Sequence, residues 1–61
     1  MATTRTKTVC RVLAVDDHPP VLESIRRILK EVEGLKLVGT ASDGYEAVEK
    51  YQALKPDLII M

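Results

Sequence analysis

The sequence predicts an α/β protein built on a parallel sheet, with elements in the order strand, helix, strand, helix, strand. Three observations carry this. A nearly continuous apolar run from Val9 to Val15 passes directly into a helical period, a second strand-like segment and a second helical period follow, and another apolar run fills Leu58 to Met61. The connections are so short that each helix has to cross over between parallel strands. Both crossovers are expected to be right-handed.

Each element has its own justification. Residues 1–8 hold two positive charges, no acid and no apolar pattern, so a loose tail is expected there. From Val9 the first strand carries Cys10, Val12, Leu13, Ala14 and Val15, interrupted only by Arg11, as suits a strand buried on both faces. Asp16-Asp17-His18-Pro19-Pro20 ends it, and the prolines open a helix at the one position where a missing N–H costs nothing. Val21, Leu22, Ile25, Ile28, Leu29 and Val32 form its apolar stripe, Glu23 and Arg27 stand in the favoured i,i+4 order, and Gly34 supplies a left-handed stop. Leu35 to Ala41 alternates and then turns small, which predicts a second strand with one more exposed end, at the sheet edge. Ser42-Asp43-Gly44 is a turn, and Asp43 with Glu46 three residues on forms a variant capping box for a second helix. That helix presents Ala47, Val48, Tyr51 and Leu54, pairs Glu46 with Lys50, and closes at Lys55-Pro56 before the third strand.

Composition narrows the function classes. At 61 residues the chain is at most one domain, and with one cysteine and one histidine it has neither an internal disulfide nor a zinc-finger ligand set. Nine basic and nine acidic residues cancel, so no overall field draws it to nucleic acid or an anionic membrane. No membrane span or signal peptide is visible, and the cytoplasm is the expected compartment.

The feature richest in chemistry is Asp16-Asp17, placed where the first buried strand leaves the sheet. Ligand sites of open parallel sheets lie outside the carboxyl ends of the strands. Two adjacent carboxylates repel unless a cation neutralises them, and a hard ion such as Mg²⁺ takes carboxylate oxygens with water and phosphate. The plainer alternative is that one aspartate caps the helix and the other is solvated. His18 reads as a turn residue, Cys10 as a small hydrophobe in a strand, and Asp57 as a turn residue at the opposite end of the sheet. Tyr45 and Tyr51 are expected to pack partly against the core. A nucleotide-binding enzyme is disfavoured, because neither a G-x-G-x-x-G nor a G-x-x-x-x-G-K-[ST] motif follows the first strand.

From Val9 to Met61 the chain resembles the receiver domain of bacterial response regulators. The resemblance rests on Arg11-Val12-Leu13-Ala14-Val15-Asp16-Asp17-His18-Pro19, on Leu37-Val38-Gly39-Thr40-Ala41-Ser42-Asp43-Gly44-Tyr45-Glu46-Ala47, and on Lys55-Pro56-Asp57-Leu58-Ile59-Ile60-Met61, in the family's order and spacing. It implies a flavodoxin-like sheet, here βαβαβ with strand order 2-1-3, and therefore a partial receiver domain over residues 9–61. It implies that Asp16 and Asp17 hold Mg²⁺ and that a histidine kinase donates a phosphoryl group to the parent protein, with no enzyme activity of the chain's own. The Asp-His-Pro variant is similar to receivers fused to a helix-turn-helix DNA-binding domain.

In that family the phosphoacceptor aspartate directly follows the segment matched by Leu58 to Met61, so this polypeptide is expected to be unable to take phosphate by itself. The order 2-1-3 also leaves Leu58–Met61 as an open apolar edge, and pairing of two copies through it is the expected route to a homo-oligomer. A self-associating fragment without signalling activity is the alternative function.

Overall fold

The computed structural model describes residues 9–61, so the tail expected over residues 1–8 lies outside the described residues. The elements run β1 (Cys10–Val15), α1 (Pro19–Lys30), β2 (Leu35–Ala41), α2 (Gly44–Leu54) and β3 (Leu58–Ile60). The sheet has the order β2-β1-β3, and β1 pairs parallel with both neighbours. This is the βαβαβ order that the alternation of strand and helix patterns predicts, in the flavodoxin-like strand order that the resemblance implies.

Burial follows from β1's central place. Val12, Leu13 and Ala14 are completely buried, and Val15 nearly so. Successive strand residues point to opposite faces. Leu13 and Val15 cluster with Ala41 and Ala47 under α2. On the other side Leu37, the register partner of Val12, lies beside Leu29 of α1. The helices thus cover opposite faces. Two crossovers of one hand require this when the first carries the chain to one side of β1 and the second carries it back past β1 to the other.

The β1–β2 register slips between Val12 and Leu13: Val12 faces Leu37, but Leu13 faces Gly39, leaving Val38 as an extra residue. The bulge brings Gly39 beneath α2. A Cβ there would stand 2.7 Å from Leu54 Cδ1 and 3.6 Å from Leu13 Cδ1, so the close approach of helix to strand depends on glycine.

Both helices end in ways the sequence only partly foretells. The α1 helix stops at Lys30 rather than running to Gly34, because Glu31 and Val32 donate to Ile28 and Leu29 in a tightened last turn. Gly34 is left-handed, with φ of 92°, but its role is to bring the chain into β2, where its carbonyl accepts the Cys10 N–H at 2.7 Å. Closure of α2 at Lys55-Pro56 holds, with Lys55 itself left-handed at φ 49°. Proline disfavours the helical conformation in the residue before it. The Lys55 carbonyl is held by Arg11 Nη1 at 3.0 Å, which ties this turn to β1.

The expected capping box forms in altered shape. Asp43 Oδ1 accepts the Glu46 N–H at 2.8 Å, as a cap should. Glu46, however, reaches past Asp43 to accept both the N–H and the hydroxyl of Ser42 at 2.8 Å, and these two bonds hold its carboxyl below the usual range. Lys50 lies 3.5 Å from Glu46 as expected and also donates to the Thr40 carbonyl at 2.7 Å, fastening α2 to the end of β2. On α1 the pairing differs from expectation: Glu23 meets Arg26 at i,i+3 and 3.7 Å, on an exposed face where such a pair contributes little.

Several residues expected in the core stripes are exposed. Ile28 is 61% accessible, Val21, Val32 and Val48 are also exposed, and Tyr45 is 79% accessible. Among the described residues the sheet is three strands wide, and each helix bears on it along a narrow line: Leu29 for α1, Ala47 for α2. Residues one helical step to the side project past the sheet. Tyr45, in the first turn of α2, has no sheet beneath it, which corrects its expected core packing, while Tyr51 remains about half exposed. Cys10 is half-buried rather than fully enclosed.

These burials set an expected contrast in stability. Leu13→Ala removes a completely buried side chain and should cost about 3 kcal/mol. Ile28→Ala, in the apolar stripe of α1 but exposed, should change stability by roughly 0.5 kcal/mol or less. Urea denaturation followed by circular dichroism measures both, and equal losses would contradict the described packing.

Candidate metal centre

The site is assembled where β1 leaves the sheet. The Asp16 N–H donates to the Ala41 carbonyl at 3.0 Å, one step beyond the last paired residues Val15 and Ala41. Strand geometry therefore fixes the Asp16 backbone, while Asp17 and His18 stand clear of the sheet. The side chain of Asp16 is about a quarter exposed at 28%, and those of Asp17 and His18 are well exposed.

The helix that follows does not use either aspartate as its cap. His18 is the N-cap, with extended backbone and no capping bond from its side chain. Pro19 and Pro20 bring no N–H groups of their own to the first turn, and the His18 carbonyl accepts from Val21 at 2.9 Å and Leu22 at 3.2 Å. The capping alternative for Asp16-Asp17 is thereby corrected.

The carboxylates are instead gathered around His18. Asp16 Oδ1 accepts the His18 N–H at 2.9 Å, closing a tight turn, and lies 2.8 Å from His18 Nδ1. Asp17 Oδ1 lies 2.8 Å from the same nitrogen. The sequence reading treats His18 as a turn residue only; the structure places its ring between the two acids. The signal available in the sequence was the uninterrupted Asp-Asp-His run, in which a turn can aim three donors at one point.

Charge follows geometry. The hydrogen bond to Asp16, and then the negative charges of Asp17 and Asp16, raise the His18 pKa above the ordinary histidine value. Bonds from the His18 ring and backbone lower that of Asp16. The histidine's stabilising effect is complete below its unfolded value, about 6.5, and is lost as pH rises through the raised folded value. The aspartate's is present above its unfolded value, about 3.9, and is lost as pH falls through the lowered folded one. The pair is strongest between these limits.

A test of cation fit rests on the donors themselves. One ligand atom from each of Asp16, Asp17 and His18 lies within 4.8 Å of the others, close enough to share one ion. Two carboxylates are the oxygen donors that Mg²⁺ takes, and their exposure leaves room for its waters. The residues present fit the ion.

Asp57 stands at the other end of the sheet. It exchanges bonds with Arg11, accepting the Arg11 N–H at 2.9 Å and donating its own N–H to the Arg11 carbonyl at 2.8 Å. It extends the β1–β3 pairing and takes no part in the acidic cluster, as the sequence predicts.

A parallel sheet with an acid pair at the carboxyl end of its first strand is the arrangement that the resemblance to receiver domains implies. Comparison with known families agrees. The response regulator receiver domain family matches residues 12–61, and the chain belongs to it. The chain is 47% identical over 51 residues to the response regulator GacA of Pseudomonas viridiflava, covering 84% of this chain and 24% of that protein. It is 48% identical over 50 residues to the response regulator UvrY of Escherichia coli O157:H7, covering 82% and 23%. It is also 51% identical over 51 residues to a protein-glutamate methylesterase/protein-glutamine glutaminase of Geobacter sulfurreducens, covering 84% and 14%. The chain thus spans about a quarter of the length of the response regulators it matches. No solved structure matches it significantly. The receiver family is one of signalling modules rather than enzymes, and no helix among the described residues is long and apolar enough to cross a membrane.

The ring of His18 reports on this arrangement directly, since it is the chain's single histidine. An NMR titration should place its midpoint above the ordinary histidine value. Asp16→Asn should lower that midpoint more than Asp17→Asn does, because the hydrogen bond to Asp16 is the largest cause of the shift.

Proposed function

We propose that these residues form the metal-binding portion of a cytoplasmic two-component receiver, in which Asp16 and Asp17 hold Mg²⁺. The observation that carries this reading is the convergence of both carboxylates on one point at the carboxyl end of β1, in a chain of the receiver family. The bound ion supplies neutralisation of the negative charge carried by a phosphoryl group.

The residues divide the remaining work. Asp16, anchored through its N–H to Ala41, sets the position of the site, and Asp17, more exposed, presents a carboxylate to solvent and incoming phosphate. The parent protein receives its phosphoryl group from a histidine kinase onto an aspartate that follows Met61, and passes the signal to a helix-turn-helix DNA-binding domain. The segment itself has no contact with nucleic acid, in keeping with its zero net charge. Because Asp57 lies at the opposite end of the sheet, it offers no substitute acceptor near the acid pair.

Calorimetric titration with Mg²⁺ should show binding that Asp17→Asn or Asp16→Asn abolishes. Acetyl phosphate with Mg²⁺ should leave the mass of the 61-residue polypeptide unchanged. A stable phosphoryl adduct on it, or Mg²⁺ binding indifferent to both substitutions, would overturn this reading.

A second reading, self-association through β3, is favoured by one observation. Among the described residues the strand pairs with β1 on one side only, and Leu58, Ile59 and Met61 are all exposed. An apolar edge of this kind recruits another strand. Native mass spectrometry should then find multiples of 6.8 kDa, and a monomer at high protein concentration would exclude it.

A further inference from the structure

We propose that the outer groove of α1 is a contact surface for a second copy of this chain, in which two α1 helices cross antiparallel. Ile28 of one copy meets Ile28 of the other, and Arg27 of each pairs with Glu31 of the other. The surface shares no residue with the β3 edge and is independent of the acid pair.

Ser24, Arg27, Ile28, Glu31 and Val32 line an open groove along α1. Residues four apart on a helix form ridges, and grooves run between them. Ser24, Ile28 and Val32 make one ridge here, and Arg27 and Glu31 make the next. Glu31 is the C-cap and Val32 follows it, but their N–H bonds to the Ile28 and Leu29 carbonyls carry both rows past the end of the helix. Ile28 and Val32 are exposed, and Ile28 is the most accessible aliphatic side chain of either helix. A ridge of one helix enters the groove of another most often where the two cross at about 50°. Ser24, with its short side chain, leaves room for Val32 of an opposing copy.

Charge decides which partner fits. Arg26 is matched with Glu23 on the same helix, whereas Arg27 and Glu31 are in no ion pair among the described residues. Their order, cation before anion at i,i+4, is the less favoured one within a helix. A two-fold contact requires a surface that complements itself. This groove does so, because reversing the direction of α1 about Ile28 carries Arg27 onto Glu31 and Glu31 onto Arg27. Two ion pairs then flank the Ile28 contact. Glu31 also stands at the C-terminal end of the helix, whose carbonyls favour an incoming cation. A parallel crossing would set like charges opposite each other, and a partner of one charge sign would satisfy only half of the groove.

Association of this kind adds to stability by mass action, so the urea contrast between Leu13→Ala and Ile28→Ala applies to protein diluted below the dissociation constant. The test measures self-association of the 61-residue chain by sedimentation equilibrium. It compares the unaltered chain, Arg27→Glu, Glu31→Arg, the double substitution, and an equimolar mixture of the two single variants. Both side chains are exposed, so the fold should survive each change, and circular dichroism checks this. The unaltered chain should be a dimer. Each single variant should raise the dissociation constant about tenfold or more, since two ion pairs become two like-charge contacts. The double substitution and the mixture should both recover association, because opposite charges meet again in each, and Ile28→Asp should abolish it. Association indifferent to the single variants would overturn the inference and leave the β3 edge as the contact. Weakened association that neither the double substitution nor the mixture restores would overturn it as well, and a monomer of the unaltered chain would overturn both routes to self-association.

Discussion

The constraint on which everything else depends is that β1 is paired along both edges and covered on both faces. Val12, Leu13 and Ala14 see no solvent. A strand so enclosed can carry almost nothing but apolar residues, because an unpaired charge there would be prohibitively costly. Charged side chains are thus confined to its two ends. At one end Arg11 meets Asp57 and Lys55; at the other, Asp16 and Asp17 emerge together. The position of the acid pair is a consequence of where the enclosed stretch stops, and the Asp16 N–H to Ala41 bond marks that point.

The same narrow enclosure explains what the structure leaves uncovered. Only Leu29 of α1 and Ala47 of α2 are buried, though each helix carries a broad apolar stripe. Val48 and Tyr51 join Ile59 and Met61 in an open apolar groove between α2 and β3. Ile28 and Val32 line another on α1. The hydrophobic pattern of a helix records how much of it is apolar; the width of the sheet beneath determines how much of that becomes core.

Much of the fold was legible because its signals are local. The continuous run Val12–Val15, the prolines that open α1, Asp43 before α2 and Lys55-Pro56 after it each act locally, and each element formed where expected except at the end of α1, which stops at Lys30 short of Gly34. The acid pair was legible for the same reason: it stands at a boundary that periodicity marks. What could not be read depends on distance in space. Glu46 had two nearby donors to choose from and took Ser42; Glu23 found Arg26 instead of Arg27; the bulge at Val38 exists to seat Gly39 under Leu54. His18 was the main omission, because a lone histidine beside a proline usually serves the turn, and only the turn's closure through Asp16 swings its ring between two carboxylates.

Hydrogen exchange of individual amides tests the central claim most directly, because protection in a native chain follows the enclosure of its backbone. The account predicts that Val12 to Val15 exchange slowest, that the Asp16 amide is protected with them through Ala41, and that the first turn of α1 exchanges much faster. An Asp16 amide that exchanges as rapidly as that first turn, or a β1 no better protected than β3, would mean that the acid pair is not held by the buried strand, and the account would fail.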